Sequence, residues 1–184
     1  CMREAFDREK LRSPKDSCIR RVVGLPLNEA IALLRPGTSE SILERLQDGY
    51  ITAWRNIRRT KGLDEPPYDG CVEILDALSE NGWTLGVATG KSYSGLVDTL
   101  EQHNLLERFA TLQTGDRAPG KPNPDMLFKA MEETGASPEG TVMIGDTTYD
   151  MEMAVNAGVL AIGVTWGYHE IQELERSGAR TVVR

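Results

Sequence analysis

Residues 142–150 read Val-Met-Ile-Gly-Asp-Thr-Thr-Tyr-Asp. Val142, Met143 and Ile144 form an apolar run of strand type, and Gly145 ends it. The stretch from Thr147 to Ala157 is rich in helix formers, which sets Asp146 and Asp150 at a strand-to-helix turn. A spacing of four on a first helical turn puts both carboxylates on one face. Two carboxylates converging at the end of a buried strand repel unless positive charge lies between them. A hard divalent cation such as Mg2+ answers this, because it takes oxygen ligands and keeps several waters. A plainer reading makes Asp146 an N-cap and Asp150 a solvated helix residue.

Outward from this stretch the chain alternates strand and helix. Helix 71–80 leads to a strand over Trp83–Ala88, and helix 93–104 to a short strand over Ala110–Gln113. Helix 124–134 leads to strand Thr141–Ile144, and helix 148–157 to strand Leu160–Val164. A weak helix, Glu170–Glu175, and a terminal Thr181–Val183 follow. This pitch predicts a parallel sheet covered on both faces. In such sheets ligands bind beyond the carboxyl ends of the strands.

Residues 1–64 read differently, as helices only: Cys1–Leu11, Ser17–Val23, Leu27–Leu34, and a long one capped by Thr38 and running to about Arg59. In the long helix Ile42, Leu43, Leu46, Tyr50, Ile51, Trp54 and Ile57 recur at three- and four-residue steps. Tyr50 and Trp54 are read as core. The Pro- and Gly-bearing segment Glu65–Gly70 marks the junction. The expected organisation is α/β: a helical bundle over 1–64, then a Rossmann-like parallel sheet core over 65–184.

The strand ends are polar. Ala88-Thr89-Gly90-Lys91-Ser92 offers a hydroxyl, a glycine and backbone N–H groups at a helix start, an anion cradle. A P-loop is excluded, since that pattern needs glycine where Leu85 stands. After the next strand comes Gly115-Asp116-Arg117-Ala118-Pro119-Gly120-Lys121-Pro122-Asn123-Pro124-Asp125, where two prolines stiffen the backbone around Lys121. A lysine held near a carboxylate pair and an anion site would neutralise charge there.

Charge is asymmetric. Residues 1–64 carry 13 Lys and Arg against 9 Asp and Glu, and residues 65–184 carry 8 against 19, within a net −7. The basic part can attract an anionic ligand toward the acidic part. Overall acidity and dispersed Lys/Arg disfavour nucleic acid. No apolar run reaches bilayer-spanning length, so no membrane partner is expected. Cys1, Cys18 and Cys71 form no CxxC pair, which points to reduced thiols and a cytoplasmic setting.

Taken together, Thr89 after an apolar strand, then Gly120-Lys121-Pro122-x-Pro124, then Gly145-Asp146-x-x-x-Asp150 resemble the haloacid dehalogenase-like hydrolases. Val142–Asp150, with Gly158-Val159 and Gly163-Val164-Thr165-Trp166-Gly167, looks like the phosphoglycolate phosphatase branch. The helical stretch, with Arg21-Val22-Val23-Gly24-Leu25-Pro26-Leu27, looks like its cap domain. The resemblance implies hydrolysis of a small phosphorylated metabolite through an aspartyl-phosphate intermediate, with Mg2+ as cofactor. It gives Asp146 and Asp150 the metal, Thr89, Gly90 and Lys91 the phosphate, and Lys121 the charge between nucleophile and phosphate. A monomer or homodimer is expected. The cap would close over the site, with Glu65–Gly70 as one hinge. Arg20 or Arg21 is a candidate for a substrate carboxylate, or else a surface helix residue.

One departure stands out. The family's Asp-x-Asp-Gly-Thr motif, which carries the nucleophile on the central strand, is absent from these residues. Phe6-Asp7-Arg8-Glu9-Lys10 lacks the Gly-Thr and lies in a helical segment. The helix beginning at Cys1 without a cap adds to the expectation that this motif lies upstream. Two rival readings follow: a haloacid dehalogenase, disfavoured by the paired carboxylates, or a catalytically inactive binding module. A receiver-type phospho-acceptor domain would have neither the helical cap nor the Gly120-Lys121-Pro122 loop.

Overall fold

The computed structural model describes residues 1–61 and 65–184. The chain divides into two compact units, Cys1–Glu65 and Pro66–Arg184. The boundary read at residue 64 lies outside the described residues.

The first unit holds α1 (Met2–Arg8), α2 (Asp16–Arg21), α3 (Leu27–Leu34) and α4 (Glu40–Lys61). Its core is Met2, Ala5, Phe6, Ile31 and Leu46, with Ile42, Leu43 and Tyr50 packed against it. Burying each large apolar side chain contributes about 1.5–3 kcal/mol. The long helix therefore forms with the face that its periodicity predicts, although Ile51 is exposed. Trp54 is only half-buried, and the Arg58 guanidinium lies 5.2 Å from its ring. Helix α1 ends before Leu11 because Lys10 takes the left-handed conformation at φ 55. The Leu11 N–H then closes on the Phe6 carbonyl.

The second unit runs α5 (Cys71–Glu80), β1 (Gly86–Thr89), α6 (Tyr93–Gln102), β2 (Thr111–Thr114), α7 (Asp125–Thr134), β3 (Val142–Gly145), α8 (Thr148–Ala157), β4 (Leu160–Val164), α9 (Ile171–Arg176) and β5 (Thr181–Val183). β1 starts three residues later than Trp83. Gly82 at φ 82 turns the chain, and the Trp83 N–H closes the end of α5 on the Leu78 carbonyl, leaving the indole half exposed.

All strand pairs are parallel, but the described residues form two sheets: β1–β2, and β3–β4–β5. The two share a layer of helices. α7 packs on β1 and β2, α8 packs on β3 and β4, and α7 and α8 touch. Among the described residues β1 pairs only with β2, and β3 only with β4. On the shared layer Met126, Met131, Met143, Met151, Met153 and Leu174 form the main core, with Ala88 packed against it. On the opposite face of β1–β2, Val87 and Leu112 pack with Leu96 and Leu100 of α6 and Leu75 of α5.

Cover on both faces holds for β1–β2 but not for the second sheet. Ile144 of β3 and Leu160 of β4 are 54% and 44% exposed. Ile144 points away from the Met143 side, and the pairing puts it beside Ile162. The apolar run that read as a fully buried strand is thus buried on one face among the described residues. No helix among those residues is long and apolar enough to cross a membrane.

Candidate active site

Asp146 follows β3, and Thr147, not Asp146, caps α8. The Thr147 hydroxyl accepts from the Asp150 N–H, while the Asp150 carboxylate accepts from the Thr147 N–H at 3.0 Å and its hydroxyl at 2.7 Å. This reciprocal capping box satisfies two amides at the helix start. Asp150 is 3% exposed. A Cβ at residue 145 would overlap its carboxylate, so the glycine that ends β3 makes room for it.

The stiffened loop after β2 delivers Lys121, 5% exposed, to the same place. Its Nζ donates to Asp150 Oδ1 at 2.5 Å. Both Asp150 oxygens are committed, Oδ1 to Lys121 and Oδ2 to Thr147. This corrects both plainer assignments: Asp146 is not the cap, and Asp150 is not solvated.

Asp146 is half-buried and held differently. The Tyr168 N–H donates to its Oδ2 at 3.0 Å, and the His169 N–H to its backbone carbonyl at 3.2 Å. Gly167 permits this, because a Cβ there would lie inside the Asp146 carboxylate. His169 is buried, and its Nδ1 accepts from the Thr148 N–H at 3.0 Å in the first turn of α8. Burial raises the Asp146 carboxyl above its ordinary value, and the Asp150 charge pushes the same way. The Tyr168 hydrogen bond and the Lys121 charge pull it down.

Thr89 ends β1. Its hydroxyl accepts from the Lys91 N–H at 3.2 Å, so its own proton remains to donate elsewhere. Ser92 caps α6 by accepting from the Gly95 N–H. The Lys91 ammonium is placed otherwise than expected. It donates to Thr99, seven residues past the cap and about 10 Å along the helix. Arg20 and Arg21 are exposed in the last turn of α2, in the other unit.

Contacts thus knit the loops after four strands at one end of the second unit. The Lys91 carbonyl accepts from the Gly115 N–H, Lys121 reaches Asp150, and residues 167–169 hold Asp146. Thr147, Asp116 and the Gly167–His169 segment carry this arrangement without having stood out in the sequence. Thr-x-x-Asp over 147–150 was the available signal for the cap. Asp116 and Gly167 stood within quoted motifs, but the contacts of Asp116 with Tyr93 and of residues 167–169 with Asp146 cross more than 20 residues of chain and left no local signal.

The donor set can be tested against a cation. Among the described residues no cluster of three His, Cys, Asp or Glu side chains forms a closed cage. Mg2+ does not need one, since it is commonly held by one or two carboxylates with waters and substrate phosphate. The Asp146 oxygen not engaged by Tyr168, beside the Asp150 charge, fits that mode.

The profile of the family described as haloacid dehalogenase-like hydrolase matches residues 1–164. The chain belongs to that family. It is 35% identical over 171 residues to a protein named probable phosphatase IndB from Dickeya dadantii (strain 3937), covering 90% of this chain and 72% of that one. It is also 35% identical over 150 residues to a phosphoglycolate phosphatase of Agrobacterium fabrum (strain C58), covering 81% and 63%. The chain spans about half to three quarters of the length of the curated relatives it matches. Among solved structures, a hydrolase from Pseudomonas syringae superposes with a TM-score of 0.86 at 26% identity, over 100% of this chain and 83% of that one. Both relatives carry phosphatase names, and the family is one of hydrolases.

Proposed function

We propose that this chain forms the greater part of a Mg2+-dependent phosphatase acting on a small phosphorylated metabolite of the phosphoglycolate kind. The observation that carries the reading is the Lys121–Asp150–Thr147 network set beside a half-buried Asp146. It is a preorganised set of charges at the strand ends where this fold binds ligands. Phosphoryl transfer needs chiefly such positioning and electrostatic stabilisation.

The contacts support the roles that the resemblance implies. Asp146 would hold Mg2+ through the oxygen that Tyr168 leaves. The cation supplies positive charge to the transferring phosphoryl group. Asp150 acts through its hydrogen bonds, keeping Lys121 and the start of α8 fixed. The Thr89 hydroxyl and the Gly90 N–H would donate to phosphoryl oxygens. Lys121 would balance charge between nucleophile and phosphate. β1 and β3 each pair on one side only among the described residues, which supports the expectation of a further parallel strand bearing the family's nucleophilic Asp. The helical unit would serve as the cap, and its residues would choose the substrate.

The test is release of inorganic phosphate from a panel of small phosphate esters, phosphoglycolate among them, with Mg2+ or with EDTA. Asp146→Ala is expected to lower turnover about 100- to 1000-fold, the usual cost of one such group. Near-normal turnover in that variant would refute the role.

A further inference from the structure

The loop after β1 and the loop after β2 are fastened to each other by one side chain. Asp116 accepts from the Tyr93 N–H with both oxygens, at 3.0 and 3.1 Å. Tyr93 is the first residue of α6, and its amide is one of those a helix leaves without an internal partner. The hydroxyl of Thr114, fully buried at the end of β2, donates to Asp116 Oδ1 at 2.6 Å. Two neighbouring contacts run along the same seam. The Gly115 N–H donates to the Lys91 carbonyl at 3.1 Å, and the Arg117 guanidinium stacks 3.2 Å from the centre of the Tyr93 ring.

A carboxylate beside an anion cradle is at first sight misplaced, because it repels the ligand. It is useful there only if its hydrogen bonds matter more than its charge. Its contacts fit that condition: two donors fix its direction, and Arg117 lies beside it.

We infer that Asp116 is a positioning residue for the phosphate cradle, holding the Thr89–Ser92 loop in register with the loop that carries Lys121. This rests on the reading of Thr89 and Gly90 as phosphate donors. Without the tie, the first amide of α6 would turn to water and the cradle would lose its fixed distance from Lys121. Displacements of about 1 Å in such groups are costly.

The test is calorimetric titration of the protein with inorganic phosphate in the presence of Mg2+, and with Mg2+ alone. Asp116→Ala is expected to weaken phosphate binding tenfold or more while shifting Mg2+ binding less than twofold. Asp116→Asn keeps an acceptor for the Tyr93 N–H without the charge, and should restore phosphate binding to within threefold. Thr114→Val keeps the buried volume, loses the hydroxyl and should weaken phosphate binding in the same direction. If Asp116→Ala melts lower but binds phosphate normally, Asp116 is only a helix cap and the inference is wrong. Equal weakening in the Ala and Asn variants overturns it too. Thr89→Ala separates the underlying reading: if it binds phosphate normally, the cradle itself is misassigned.

Discussion

Lys121 Nζ and Asp150 Oδ1 lie 2.5 Å apart with both side chains nearly sealed from solvent. A buried pair of this kind costs more to break than it gains by forming, because the surviving charge loses its partner. Lys121→Met should lower the unfolding free energy by about 3–5 kcal/mol. Combining it with Asp150→Asn, which keeps an acceptor for Thr147 but removes the charge, should recover part of that loss. Urea unfolding of the single and double variants measures this. A double variant less stable than Lys121→Met would contradict it.

Gly167 leaves space that the Asp146 carboxylate occupies. Gly167→Ala should push that carboxylate off the Tyr168 N–H. The Mg2+ midpoint of phosphate-ester hydrolysis is expected to rise about tenfold, equivalent to about 1.4 kcal/mol. The thermal midpoint should fall only modestly, since the overlap is with one half-buried side chain. An unchanged Mg2+ midpoint would mean that Asp146 does not hold the cation in the observed orientation.

His169 guards the first turn of α8 by accepting the Thr148 N–H on Nδ1. His169→Phe keeps a ring of similar size and removes the acceptor. Native-state hydrogen exchange at the Thr148 amide should become at least about tenfold faster, as expected where local opening becomes easier by about 1.4 kcal/mol. Unaltered protection would show that another group satisfies that amide.

Glu133 offers a pH test away from the site. The Thr111 hydroxyl and then Gln113 hydrogen-bond its carboxylate and hold its pKa below the ordinary value. A lowered folded pKa stabilises the protein above the unfolded value, near 4.3. That contribution is lost as pH falls through the folded value. Glu133→Gln should therefore melt below the unsubstituted protein at pH 7, with the gap closing toward pH 3. A gap that persists at pH 3 would rule out the charge as its source.

The sequence was most informative where local chemistry decides the outcome. The alternation of helix and strand, the loop around Lys121 and the turn bearing Asp146 were all visible in short patterns. The capping box was half visible, since the pair 146/150 drew attention from Thr147, one residue along. Lys91 lay beyond such reading, because the direction of a long side chain depends on neighbours such as Thr99. So did Gly167, Tyr168 and His169, which meet Asp146 only after β4 pairs with β3. Trp83 misled because apolar character alone does not distinguish a strand start from the closing residues of a helix. Ile144 misled for a related reason: an apolar residue in a parallel strand is buried only where something covers its face.

The most direct measurement is phosphate release from the small-ester panel across a Mg2+ titration, for the unsubstituted protein and Asp146→Ala. Turnover is expected to vanish in EDTA, return with Mg2+, and fall about 100- to 1000-fold in the variant. Turnover that ignores Mg2+, or a folded Asp146→Ala variant with unchanged Mg2+ dependence, would contradict it.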